Sequence, residues 1–115
     1  MLDLGRTFLQ SVERAPGAVA LVDGTQRLSY ADWAQLIGAA QRGLLALGLQ
    51  AGDHLLSVLQ NRQEAATLHW ACQFSGIVMT PLNWRAKPEE VAHCLKDSGA
   101  RVVMYEQVSA SAVLK

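Results

Sequence analysis

The stretch Pro81-Leu82-Asn83-Trp84-Arg85-Ala86-Lys87-Pro88 gathers two cations and a large aromatic side chain within one irregular segment. Pro88 fits the first turn of a helix, so Arg85 and Lys87 stand beside backbone N–H groups that lack an intrahelical partner. Such a helix start favours an anion. A link from the carboxyl end of a parallel strand to a helix N-terminus is also where α/β sheets place their ligands. Glu89 and Glu90 neutralise much of the local field. Arg85 therefore has two readings, a contact to a bound anion or a solvated or salt-bridged surface residue. Trp84 shares the loop, and loops held by a rigid scaffold carry a disproportionate share of binding residues.

Other residue types that could do chemistry are less well placed. His69 and Cys72 are three apart on one expected helix, and His93-Cys94 lie on another. Two such pairs could hold zinc if they converged, but neighbours on a helix point about 100° apart, so ordinary packing is the simpler reading. His54 has no identifiable carboxylate partner for general-base work. Gly43 and Gly48 have the outer spacing of a phosphate-cradling loop, yet Leu49 stands where Lys is required and Gly43 falls inside a helix. Neither G-x-G-x-x-G nor G-x-S-x-G occurs.

The elements that must position this loop follow from periodicity. Leu4, Phe8 and Val12 mark one face of a short helix that Pro16-Gly17 ends. Residues 18–22 and 25–29 read as a hairpin about an Asp23-Gly24 turn. Ser29 and Asp32 form a capping-box variant for a helix whose buried stripe is Trp33, Ile37, Ala40, Leu44 and Leu47. Asn61 and Glu64 repeat that logic for a helix over 62–75, which is apolar almost all round and so is covered on more than one side. Trp33 and Trp70 read as core. A third helix begins at Pro88, with Val91, Ala92 and Leu95 buried. Gly48, Gly76 and Gly99 stop the three helices. Each feeds an apolar strand, at 54–59, 77–82 and 101–105, with Pro81 admissible only near a strand end. Residues 107–115 begin a further helix. Helices alternating with apolar strands imply a layered parallel sheet with helices on both faces, preceded by a helix and a β-hairpin.

Composition narrows the function classes. The chain has 115 residues, half of them apolar and 17% charged, with ten Lys and Arg against ten Asp and Glu. No basic surplus is available for nucleic acid or for a polybasic membrane anchor. No apolar run approaches the ~20 residues that span a bilayer. The start, Met1-Leu2-Asp3-Leu4-Gly5-Arg6, lacks a basic and then apolar leader, and two cysteines make no disulfide framework, so a cytoplasmic location is expected. A doubly covered sheet needs more helix and strand than is present. The expectation is that residues 1–115 are an N-terminal portion of a larger α/β protein, with an apolar face exposed in isolation.

Several motifs in order resemble one superfamily. They are Leu28-Ser29-Tyr30-Ala31-Asp32-Trp33, Leu47-Gly48-Leu49-Gln50-Ala51-Gly52-Asp53, and Asn61, Glu64 and Gly76. Pro81-Leu82-Asn83-Trp84-Arg85 with Pro88-Glu89-Glu90, followed by Asp97-Ser98-Gly99-Ala100-Arg101, completes the set. Together they resemble the start of the adenylate-forming (AMP-binding) acyl-CoA synthetases, with the related peptide-synthetase adenylation domains and luciferases. The resemblance runs from about Thr7 to Tyr105. It implies a parent enzyme that converts a carboxylic acid and Mg-ATP to an acyl-adenylate and pyrophosphate, then passes the acyl group to coenzyme A or to a carrier-protein thiol.

The family's Ser/Thr/Gly phosphate loop, adenine-binding aromatic motif, ribose-binding Asp and C-terminal Lys are absent from these residues. The resemblance thus implies no catalytic residue and no metal site within this chain, no cofactor for the chain alone, and ATP, Mg and coenzyme A for the parent enzyme in fatty-acid-type metabolism. It carries one residue over: Arg85 matches the Arg of an Asn-x-Arg segment that in some ligases lies near the coenzyme A phosphates. Trp84 departs from a position often Pro or small. Lys87 replaces a common Thr or Ser cap, which weakens the cap by ~1 kcal/mol. The expected partners are the remainder of the parent enzyme or a second copy through the exposed apolar face. A non-catalytic interaction domain on the same scaffold is the alternative, and a flavodoxin-like nucleotide binder is a third option.

Overall fold

The computed structural model describes residues 4–114. Helix α1 (Leu4–Arg14) leads into a hairpin of β1 (Val19–Asp23) and β2 (Gln26–Ser29). Helices and strands then alternate: α2 (Tyr30–Ala46), β3 (His54–Val58), α3 (Gln63–Ser75), β4 (Val78–Leu82), α4 (Pro88–Ser98) and β5 (Val102–Tyr105). A 3-10 turn at Gln107–Ser109 and the short helix α5 (Ala110–Val113) follow. The expected tail helix is thus present. Lys115 and residues 1–3 lie outside the described residues.

The parallel sheet has the order β4-β3-β5, with Leu55 opposite both Met79 and Val102. β3 is buried on both faces: Leu55, Leu56 and Val58 are wholly inaccessible and Ser57 nearly so. Successive strand residues point to opposite faces. Leu55 accordingly joins a core with Phe8, Trp33, Ile37, Leu44 and Leu68, whereas Leu56 and Val58 join one with Ala86, Val91 and Ala112. Chain reversal explains the two cores. The chain steps from β3 to β4 in one direction, then passes back across β3 to reach β5. With right-handed crossovers, α3 and α4 must fall on opposite faces. The expected layered parallel sheet with helices on both faces is what the chain forms.

The first core is rich in aromatic rings. Phe8 meets Trp33 edge-on at a centroid distance of 5.4 Å, Trp70 at 4.9 Å and Phe74 at 5.9 Å. Buried Trp33 donates its Nε1–H to Thr67 Oγ1 at 2.9 Å, so the indole is buried without an unpaired donor. α3 touches α1, α2, β1 and β4, as its apolar circumference requires.

The helix signals are mostly realised. Ser29 caps α2 by accepting from the Asp32 N–H at 3.1 Å. Gly76 ends α3 at φ +70°, where a Cβ would also stand 3.1 Å from the Ala51 Cβ, so only glycine suits the position. Pro81 lies one residue from the end of β4, an edge strand, where a missing ladder donor is tolerated.

Four expectations are corrected. The hairpin register pairs Asp23 with Gln26, so the turn residues are Gly24 and Thr25 rather than Asp23 and Gly24. Asn61 does not cap α3; that helix starts one residue later than expected and its N-cap residue, Arg62, makes no side-chain cap bond. Asp23, displaced from the turn into β1, takes the role instead: its Oδ2 accepts from the Gln63 N–H at 2.9 Å. Leu47 is exposed, because it lies at the C-terminal end of α2 beyond the core. Ala92 and Leu95 are exposed as well, because α4 presents only Val91 and half-buried Cys94 to the second core. Further exposed apolar side chains lie on the hairpin (Val19, Val22), on α2 (Leu45), on β4 (Val78) and after β5 (Val108).

The Asp23 bond yields a stability prediction. Asp23→Ala is expected to lower stability by about 1 kcal/mol, the usual loss for a capping oxygen, and Asp23→Asn to retain most of it. Urea denaturation midpoints check this; equal losses in both variants mean that the oxygen at Gln63 is not what matters.

Candidate functional site

β3 passes to α3 on one face of the sheet, while its neighbours β4 and β5 pass to α4 and α5 on the other. Loops that leave adjacent strands toward opposite faces part from each other, and a crevice opens at the carboxyl ends. A cleft of about 630 Å³ occupies that place. Its walls are Leu59 and Asn61–Gln63 beyond β3, Pro81–Trp84 at the end of β4, and Leu21–Asp23 of the hairpin. A second, smaller cleft of about 450 Å³ lies on the β5 side, lined in part by Gln60, Glu64, Tyr105 and Glu106. There the Gln60 N–H donates to Glu106 Oε1 and ties the end of β3 to the segment after β5.

The first cleft offers hydrogen-bonding groups from Asn61, Arg62, Gln63 and Asn83, and no His, Cys or Lys lines it. Asp23 and Ser57 line it as well, and the Asp23 carboxylate is engaged by the Gln63 N–H. Asn61 and Arg62 were legible only as helix-start residues. Their place in the cleft depends on how α3 meets the hairpin.

The expected anion loop is a built turn. Asn83 Oδ1 accepts from the Arg85 N–H at 2.9 Å, and the Asn83 carbonyl accepts from the Ala86 N–H at 2.9 Å. Ala86 is buried in the second core. Ser109, itself 2% exposed, donates its Oγ–H to the Trp84 carbonyl at 3.0 Å. Sequence reasoning missed Ser109, because nothing local links it to a residue 25 positions earlier. Trp84 is half-buried and lines the cleft. Arg85 is exposed, and its guanidinium carbon stands 4.6 Å from the centroid of the Trp84 ring. A cation–π contact at such a site contributes about 0.5–1 kcal/mol.

Of the two readings of Arg85, the surface one is met in its solvated form: the side chain is exposed and makes no ion pair among the described residues, which leaves its donors open to an anion. Lys87 is the N-cap of α4, and its backbone N–H donates to Glu90 Oε1 at 3.0 Å, half of a capping box. Glu90 thereby serves the helix start and not Arg85.

The remaining chemistry-bearing residues are dispersed. His54 opens β3 at the end of the sheet opposite the cleft. Exposed His69 meets Trp70 edge-on at 5.3 Å. Cys72 is in the first core and Cys94 borders the second, so the sheet separates them. Among the described residues no group of three or more His, Cys, Asp or Glu side chains comes together as a metal site. Burial pushes the Cys72 thiol up to about 11. No helix among the described residues is long and apolar enough to cross a membrane.

Comparison with known proteins agrees with this geometry. Residues 8–115 match the family described as AMP-binding enzyme. The chain therefore belongs to that family. It is 31% identical over 110 residues to feruloyl-CoA synthase of Amycolatopsis sp, covering 96% of this chain and 22% of that protein. It is 30% identical over 115 residues to the long-chain-fatty-acid--CoA ligase FadD13 of Mycobacterium tuberculosis, covering 98% of this chain and 23% of that one. Its fold superposes on Mycobacterium tuberculosis fatty acyl CoA synthetase with a TM-score of 0.92 at 30% identity, over 96% of this chain and 22% of that chain. The chain thus spans about a quarter of the length of these relatives.

The separation of the cysteines has a direct readout. With its thiol near 11, Cys72 holds almost no thiolate at pH 8, and it is also buried. Iodoacetamide at pH 8 is expected to label Cys94 in the native protein and Cys72 only after denaturation. Mass spectrometry that finds both modified at one rate in the native state contradicts the burial of Cys72.

Proposed function

We propose that this chain forms the first part of the large domain of an ATP-dependent acid–coenzyme A ligase. One observation carries the reading: almost the whole chain aligns, in sequence and in fold, with acyl-CoA synthetases. In the proposed reaction a substrate carboxylate oxygen attacks the α-phosphorus of ATP and pyrophosphate leaves. The coenzyme A thiol then attacks the acyl carbonyl, and AMP leaves as the thioester forms.

This chain's part in that sequence is binding. Arg85 is assigned a phosphate group of coenzyme A. Its support is a guanidinium with no carboxylate partner, on a turn held by three hydrogen bonds next to the start of α4. The first cleft is assigned to the face that the rest of the parent domain meets. ATP and Mg are assigned to residues outside this chain. The described residues supply no metal-binding cluster, and the cleft supplies no lysine for a transferring phosphoryl group. Two free cysteines on opposite sides of the sheet fit a reducing, cytoplasmic setting.

The test is acid-dependent ATP–pyrophosphate exchange and thioester formation by the protein expressed from its complete reading frame, across aliphatic and aromatic acids. Exchange with at least one acid, and AMP release on adding coenzyme A, are expected. A folded protein that exchanges with none overturns the ligase reading. It favours instead a non-catalytic interaction domain, for which the exposed apolar residues of the hairpin and α2 would be the contact surface.

In the same assay Arg85→Ala is expected to raise the KM for coenzyme A by about tenfold or more, the loss typical of a charge-assisted hydrogen bond, with exchange nearly unchanged. Equal loss in exchange makes Arg85 a structural residue.

A further inference from the structure

We infer that Trp84 is a positioning residue for Arg85: its ring, carried on a turn whose backbone Ser109 anchors, holds the guanidinium ready for a phosphate of the thiol co-substrate. The inference rests on the ligase reading and adds a residue to it.

An exposed arginine ordinarily samples many rotamers and loses that freedom when it grips a ligand. A carboxylate partner would hold it, but would also occupy the N–H donors that a phosphate needs. The Trp84 face solves both problems. It attracts the cation through the ring quadrupole and takes up none of its hydrogen-bond donors. The distance of 4.6 Å from guanidinium carbon to ring centroid is within the range of that attraction.

The ring can do this only if its own place is fixed, and three contacts fix it. The Trp84 carbonyl accepts from Ser109 Oγ, Ala86 two residues on is buried in the second core, and the side chain packs along the cleft wall. Ser109 is almost wholly buried, so its hydroxyl is a fixed donor rather than a solvated one. The turn is therefore tied to the segment after β5 as well as to β4. The Arg85 guanidinium has no hydrogen-bond or ion-pair partner among the described residues.

The competing explanation is that Trp84 only fills the cleft wall. The two differ in how Trp84 and Arg85 couple. In the complete enzyme, Trp84→Leu is expected to raise the KM for coenzyme A about two- to fivefold, with kcat and the KM for ATP unchanged. Trp84→Phe is expected to restore a value near the parent's, because it keeps an aromatic face. Trp84→Leu placed on Arg85→Ala is expected to add nothing, because the ring then has no cation to hold. Ser109→Ala, which keeps the Trp84 side chain but frees the backbone that carries it, is expected to shift the same KM in the same direction; it keeps the test open should Trp84→Leu fold poorly.

Additive effects of Trp84→Leu and Arg85→Ala, or a Trp84→Phe variant no better than Trp84→Leu, overturn the positioning role while leaving the Arg85 contact standing. An unchanged KM for coenzyme A in Arg85→Ala removes the contact itself, and the positioning role with it. The two failures are thereby told apart.

Discussion

Two-sided burial of one short strand organises this molecule. β3 has no solvent-facing side: Leu55 points into one core, Leu56 and Val58 into the other. A strand in that position requires helices on both faces and a strand on either side. Each fully buried aliphatic side chain adds about 1.5–3 kcal/mol of driving force, so the arrangement is strongly preferred to any register that exposes one of them. Chirality then dictates the rest. A chain that visits β4 and returns across β3 to β5 can keep right-handed crossovers only by changing faces between α3 and α4. The cleft at the carboxyl ends is a consequence of that change and would exist whatever residues lined it.

The same constraint separates the chemistry. Cys72 and Cys94 look like partners in the linear sequence, each near a histidine, yet the sheet stands between their cores. His54 sits at the amino end of β3, away from the loops. The histidines and cysteines are dispersed, while hydrogen-bonding residues and the cations Arg62 and Arg85 collect at the carboxyl end. That clustering is set by where the topology puts side chains, before any comparison with another protein.

What was legible in the sequence was what is local. Ser29 announces α2 because a cap and its N–H lie within one turn. Gly48, Gly76 and Gly99 announce helix ends because each adopts positive φ. The parallel strands were visible because each is a short, mostly apolar run set between a glycine stop and the next helix. The loop at 81–88 was visible because its residue types break both periodicities. What was not legible depends on distant pairs. Asp23 caps a helix that starts 40 residues later, so the local rule chose Asn61. Once Asp23 is needed there, it is drawn into β1 and the turn moves one residue on. Ala92 and Leu95 have an apolar character that suggests burial, but α4 meets the sheet through a narrow line of residues. Which residues those are depends on both β3 and α5, whose Leu56, Val58 and Ala112 share the second core with Val91.

Arg85 shows how rigidity and availability can coexist at a binding position. Its backbone belongs to one of the most constrained turns in the chain, with Asn83 closing it, Ala86 anchored in the core and Ser109 holding the Trp84 carbonyl. Its charge is nevertheless unclaimed. The nearest capping carboxylate, on Glu90, accepts from the Lys87 N–H and so serves the start of α4. That bond leaves the Glu90 charge in place, so what leaves Arg85 unpaired is geometry: no carboxylate among the described residues comes within ion-pair distance of it. The Trp84 face, 4.6 Å from the guanidinium carbon, meets the cation without taking up any of its hydrogen-bond donors.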